Sequence, residues 1–192
     1  MAPSQTDSVM NREEALSLVR AHMKTEFIVR HVLAVEAIMR GLAEFYGEDS
    51  NLWALTGLLH DIDYELVSGD MKRHGLLAEE ILASKVSGET IRAVKAHNHV
   101  NTGFAPESKM EKMLIAADAI SGLIVACALV MPSKTLEEVS LKTVGKKFKD
   151  KDFARGSDRD RIRLCESVGL TREELFEISL RSLKGIASQL GL

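Results

Sequence analysis

The sequence predicts an all-α fold, and three observations carry the prediction. Apolar residues recur at three- and four-residue steps along nearly the whole chain, and no segment alternates with period two. Four pairs have the spacing of helix-starting capping boxes: Asn11 with Glu14, Ser108 with Glu111, Thr135 with Glu138 and Thr171 with Glu174. In such a box a small polar side chain bonds the backbone amide three residues on, while the Glu reaches back. The pattern gives helices over 11–23, 25–46, 51–60, 75–86, 88–98, 109–131, 135–143, 158–168 and 172–190. Loops fall at 47–49, 62–74 and 99–108.

With 192 residues, 45% hydrophobic and 28% charged, the chain fits one domain with a good core. Its three prolines, Pro3, Pro106 and Pro132, mark no linker, and there is no repeat or low-complexity run. The expected division is a disordered tail over 1–10 and a single domain over 11–192, with a core at about 25–131 and a helical extension at about 132–192. A formal net charge of −3 argues against general affinity for duplex nucleic acid or an anionic membrane. Cys127 and Cys165 lack CxxC spacing, and residues 1–10 lack the charged-then-apolar layout of a secretion signal, so a reduced, cytoplasmic setting is expected. The run Met113–Met131 approaches a membrane span in length, but it carries Asp118, and a central acid costs about 2.5–3.5 kcal/mol on insertion scales. It is expected to be a buried core helix. Methionines on the 25–46 and 109–131 helices leave a homo-oligomer open without indicating one, because core packing accounts for them as well.

The helix at 25–46 presents Ile28, His31, Val35, Ile38, Leu42 and Phe45 as an inward stripe, which turns His31 toward the core. The helix at 51–60 is apolar until it closes on His60-Asp61. An imidazole beside a carboxylate at the end of a buried segment needs a partner that offsets desolvation, and a divalent cation provides one. Neighbours on a continuous helix point about 100° apart, so the two converge only if the helix ends there. The polar stretch Asp61-Ile62-Asp63-Tyr64-Glu65 has the look of such an ending.

His74 stands beside Lys72 and Arg73 at a helix entrance, placed to complete a second metal position with cations close by for phosphate. His97 follows Val94 by three residues and shares its inward face; His99 follows Lys95 by four and faces a wetter side, a candidate substrate contact. His22 has no such company and is expected at the surface. Asp118 is the only charge between Lys112 and Lys134, so it must be paired, protonated or metal-bound. From Lys142 to Arg163 there are nine Lys/Arg against four Asp, and Lys147, Lys151, Arg155 and Arg159 recur every four residues. If helical, they form one ridge that borders an anionic pocket.

These residues resemble the HD-domain superfamily of metal-dependent phosphohydrolases, all-α helical bundles with the order His, His-Asp, Asp along the chain. Here the order is His31, His60-Asp61, Asp118. More narrowly, the chain is similar to small stand-alone HD proteins, through Leu58-Leu59-His60-Asp61-Ile62-Asp63-Tyr64, His74-Gly75, Lys95-Ala96-His97-Asn98, Ala116-Ala117-Asp118-Ala119-Ile120-Ser121-Gly122-Leu123 and Lys146-Lys147-Phe148-Lys149-Asp150-Lys151. The similarity runs over about 25–190. It implies one or two divalent metals, with His74 and His97 at the positions of a second ion and the Asp61 carboxylate between the two. The step from His60-Asp61 to His74 is shorter than in many two-metal members.

Mixed imidazole and carboxylate ligands suit Mn, Fe, Co, Ni or Zn better than Mg or Ca. The expected activity is hydrolysis of a phosphomonoester or phosphodiester, nucleotide-like substrates included, with Asp61 and Asp63 as catalytic carboxylates; Asp63 either activates water or orients a ligand histidine. Lys72, Arg73, His99, Lys147, Lys151 and Arg155 are the expected contacts to a small phosphorylated substrate. Two rivals use the same residues: a mixed-valent di-iron oxygenase of HD type, and a metal-stabilised domain that binds a ligand without turnover.

Overall fold

Helix after helix starts on a short polar side chain and stops on a glycine or a tightened turn. A computed structural model describes residues 10–192 of the chain, and no strand occurs among them. The tail expected over 1–10 lies outside the described residues apart from Met10, whose amide donates to the Lys85 carbonyl.

The first helix, α1 (Arg12–His22), begins with the Asn11–Glu14 capping box. It packs on α3 (Ser50–Leu59). Between them runs α2 (Glu26–Tyr46), whose cap is supplied from a distance. Thr25 makes no side-chain cap, and the Glu65 carboxylate instead accepts from the Lys24 and Thr25 amides at 2.9 and 2.8 Å. That bond ties the start of the helix carrying His31 to the segment following His60-Asp61. Gly47, at φ +68°, ends α2, and Asp49 caps α3 two residues later, so the two helices turn back on each other.

The α2–α3 contact is the most extensive in the fold, and Gly57 makes it possible. A Cβ there would stand 2.9 Å from the Val35 carbonyl oxygen and 3.1 Å from the Glu36 Cα. Backbone, unlike a side chain, cannot swing aside. On α2 the buried stripe runs through Val32, Val35, Ile38, Met39 and Leu42, whereas Phe45, expected inward, is 49% exposed.

After α3 the chain does not run on into a loop. It tightens through i→i+3 turns, Ile62 N to Leu59 O and Tyr64 N to Asp61 O, before the short α4 (Leu77–Leu82). The helix expected over 75–86 is therefore only six residues. Next come α5 (Gly88–His97), capped by Ser87, and one turn of helix, α6 (His99–Thr102), inside the expected 99–108 loop.

The central helix, α7 (Lys109–Leu129), opens with the Ser108–Glu111 box. It is long and apolar enough to cross a membrane by length and composition alone, yet most of it is buried, against α2 and α5 on one side and the helices that follow it in the chain. Cys127 and Cys165 are both buried free thiols, each pushed up to about 11 by burial.

The extension departs furthest from expectation. Thr135 makes no cap: Glu138 turns instead to the Ser133 amide and hydroxyl, and residues 136–138 form only a 3₁₀ turn. The real helix, α8 (Leu141–Lys149), starts on Ser140. The helix expected over 158–168 is α9 (Arg159–Arg163), capped by Asp158, and continues as a 3₁₀ turn to Val168. The last expected helix divides at Ile186 into α10 (Arg172–Gly185), with the Thr171–Glu174 box, and α11 (Ala187–Leu190).

Candidate metal centre

His31, His74, His97, Asp61 and Asp118, from α2, the turn after α3, α5 and α7, line one cavity of about 430 Å³, and His60 is buried behind Asp61. Asp61 is at the middle. Its Oδ1 lies 3.4 Å from His60 Nε2, 3.2 Å from His74 Nε2 and 3.4 Å from His97 Nε2, and its Oδ2 lies 3.6 Å from His31 Nε2. Asp118, from the middle of α7, places Oδ1 3.2 Å from His31 Nε2 and 4.0 Å from His60 Nε2.

Every one of these imidazoles turns Nε2 inward and ties Nδ1 behind it. His60 Nδ1 donates to the Gly57 carbonyl at 2.8 Å, His97 Nδ1 to the Val94 carbonyl, and His74 Nδ1 to Asp63 Oδ1 at 2.8 Å; His31 Nδ1 lies 3.4 Å from Ser121 Oγ. A nitrogen that donates must carry the proton, so the partners assign the tautomer that leaves Nε2 as a lone pair in the neutral ring. His74 Nε2 and His97 Nε2 then face each other at 3.0 Å, a contact that either a proton on His74 or a metal ion in its place satisfies. His60 Nε2 is buried with no hydrogen-bond partner among the described residues. These are the marks of a donor set that fits a metal. Two triads meet the spacing for shared ligation, His31–His60–Asp118 and His60–Asp61–His97.

The electrostatics agree with that chemistry. Burial lowers His60 to about 4, keeping its ring neutral. Burial also opposes charge on His31 and His74, but carboxylates outweigh it. Asp118 and Asp61 raise His31, and bonds to Asp61 and Asp63 raise His74 to about 9. Burial would push both aspartates up, yet the surrounding imidazoles, and for Asp118 also Arg161, hold them well below the usual carboxylate range.

Asp63 does not open to the cavity. It is fully buried; Oδ1 holds His74, and Oδ2 accepts from the Gly75 and Ala78 amides at 2.8 and 3.0 Å. Of the two roles expected for it, water activation has no free oxygen to act with, whereas orientation of His74 is the contact seen. Gly75, at φ +87° and with Val94 O 3.0 Å from where a Cβ would stand, lets the chain bend closely around that carboxylate. Asn98, just past the end of α5, fixes the same bend, its amide donating to the Met71 and His74 carbonyls.

The expected anion contacts are elsewhere. Lys72 and Arg73 are exposed and do not line the cavity, and neither does half-buried His99. Lys147, Lys151, Arg155 and Arg159 form no ridge, because α8 ends at Lys149 and the chain turns. Lys147 lies over the Phe153 ring, Arg155 pairs with Asp152 at the surface, and Lys151 and Arg155 line a separate hollow. Arg159 points back into its own turn, donating to the carbonyls of Lys147, Phe148, Asp150, Phe153, Ala154 and Ser157.

The cation that does reach the centre is Arg161, two residues on. Its Nη2 donates to Asp118 Oδ2 at 2.8 Å and to the His97 carbonyl at 2.9 Å. No spacing rule singled it out, since it lies off the every-fourth series. His22, half-buried, bonds the Leu18 carbonyl on its own helix, away from the site.

The HD domain family matches residues 28–123, half of the chain and the whole span from His31 to Asp118. The chain belongs to the HD domain family. No curated protein and no solved structure matches it. The match ends before the extension, so Arg161 reaches this HD domain's centre from outside the matched span.

Proposed function

We propose that this HD domain is a metal-dependent phosphohydrolase that cleaves a phosphomonoester or phosphodiester, nucleotide-like substrates included. One observation carries the reading: every imidazole at the centre presents Nε2 inward with Nδ1 tied or aligned behind it, and His60 Nε2 has no other partner. His31, His60, Asp61 and Asp118 would hold one ion; Asp61, His74 and His97 would hold a second. A divalent transition metal such as Mn, Fe, Co, Ni or Zn, when bound, lowers the pKa of a water toward neutrality and polarises a phosphoryl oxygen.

The chain's own residues supply the frame. Asp61 faces all four imidazoles, so its charge is shared across the centre rather than spent on one partner. Asp63 and the Gly57 and Val94 carbonyls fix ring orientation before any ligand arrives, which lowers the reorganisation needed on binding. The cavity is open enough for a small phosphorylated molecule.

The test is elemental analysis of purified protein followed by a phosphatase and phosphodiesterase screen with Mn, Ni and Zn. Stoichiometric transition metal with turnover of at least one phosphoester supports the reading. Iron with substrate-dependent oxygen consumption and no phosphoester cleavage would replace it by the di-iron oxygenase, which the same six donors serve. Tight ligand binding without turnover would replace it by a sensor.

A further inference from the structure

Resting on the phosphohydrolase reading, we propose that Arg161 is the phosphoryl-binding residue of this site and that the substrate carries a single phosphoryl group on an apolar or aromatic carrier. Twelve residues line the cavity, and among them Arg161 is the sole Lys or Arg. Two bonds from Nη2, to Asp118 Oδ2 and the His97 carbonyl, anchor one arm of the guanidinium. The Nε–H is buried and has no acceptor among the described residues, although most buried side-chain donors are paired in folded proteins. A side chain tethered at one arm and still 31% exposed where it lines the cavity, beside a centre built for metal, is prepared for an oxygen-rich ligand. The planar fork of Arg matches phosphoryl oxygens in a way Lys does not.

The turn before α9 is built to hold this arginine in place. Arg159 binds six backbone carbonyls between Lys147 and Ser157, which makes residues 147–159 a self-clamped unit. Gly156 lines the cavity and adds no side chain to obstruct it. Arg161 therefore projects from a rigid base, which reduces the entropy lost on gripping a ligand.

The rest of the lining sets the substrate class. Phe27, Ile28, Tyr64 and Met71 form the other wall, and Phe27 is 71% exposed. A second or third phosphoryl group would meet these apolar side chains, because Lys72, Arg73, Lys151 and Arg155 all lie outside the cavity. An apolar or aromatic carrier would be buried against them, which favours it over a polyphosphate or a bare sugar phosphate.

The experiment compares metal-loaded wild type with Arg161→Gln and Arg161→Lys, reading metal content by elemental analysis and inorganic phosphate binding by titration calorimetry. Arg161→Gln is expected to keep its metal and weaken phosphate by about 10- to 100-fold, the scale of one charge-assisted hydrogen bond, with Arg161→Lys in between. Loss of metal in both folded variants would make Arg161 a holder of Asp118 and overturn the assignment, as would unchanged phosphate affinity. Phenyl phosphate should show a lower KM than pyrophosphate or ribose 5-phosphate; the reverse order overturns the substrate class. Wild type that cleaves no phosphoester and binds no phosphate defeats the underlying hydrolase reading instead, so the two failures are distinct.

Discussion

The HD-matched part of the chain and the extension after it contribute to the same cavity by different physics. In the first, donors sit on helices or at helix ends, and their directions follow from periodicity: His31 at the edge of the buried stripe of α2, His97 one turn beyond Val94, Asp118 on α7. In the second, the cation that reaches the centre is carried by a turn whose shape depends on Arg159 bonding carbonyls up to twelve residues away. Side chains placed by local geometry can be located from their spacing. Side chains placed by tertiary hydrogen bonds cannot.

The largest expected effect lies in the helical part. Asp61→Ala removes the one carboxylate that faces all four imidazoles, so bound metal and hydrolysis should vanish together, activity falling on the order of 10³-fold or more, while helical content survives. Elemental analysis alongside circular dichroism checks this. Metal retained in the variant would break the comparison at its stronger end.

Arg159→Met is the matching test of the extension. Six carbonyls lose their donor, and with the desolvation of groups left unpaired the loss should be about 1–3 kcal/mol by urea unfolding. Because α9 is displaced with the turn, phosphate binding should also weaken although metal content holds. A variant that loses stability but keeps phosphate affinity would show that Arg161 is held from its own helix.

Asp63→Asn sharpens the comparison within the helical part. An amide keeps the shape but not the charge that fixes His74, and loss of such an outer partner lowers metal affinity by about 10- to 100-fold. Competition with a chelator reads it. In sequence Asp63 showed only its nearness to His60-Asp61; its role depends on the Gly75 and Ala78 amides folding back onto it, which no periodicity announces. Asp118, by contrast, was conspicuous as the lone charge in an apolar run, and the all-α class followed from capping and period. The expected Thr135 box does not form because Glu138 bonds the Ser133 amide and hydroxyl instead, a competition between local partners that the motif alone does not decide.

A smaller effect is expected from pH. The folded value of His74 is about 9, above the 6.5 of the free side chain, because its bonds to Asp61 and Asp63 outweigh burial. A group that binds its proton more tightly when folded adds stability in full below about 6.5, and that contribution is lost as pH rises through about 9. The metal-free protein should therefore melt at progressively lower temperature across that window. Metal affinity should rise over the same window, since ligation needs the ring deprotonated. Melting curves with and without metal should converge at low pH and diverge at high pH; parallel curves would remove His74 from the metal set.

The smallest effects belong to Lys151→Ala and Arg155→Ala, and their smallness carries information. Spacing every four residues made these side chains a candidate phosphate ridge with Lys147 and Arg159, an inference that holds only on a continuous helix. The chain turns after Lys149, Arg155 is 78% exposed in its side chain, and its partner Asp152 is more exposed still. Exposed pairs of this kind contribute about 0–1 kcal/mol, so unfolding free energy should move by no more than about 0.5 kcal/mol and phosphate affinity not at all. A drop in phosphate affinity in either variant would mean that the basic run bends over the cavity mouth when ligand arrives, and the anion contacts would then belong to charge density rather than to the single fork of Arg161.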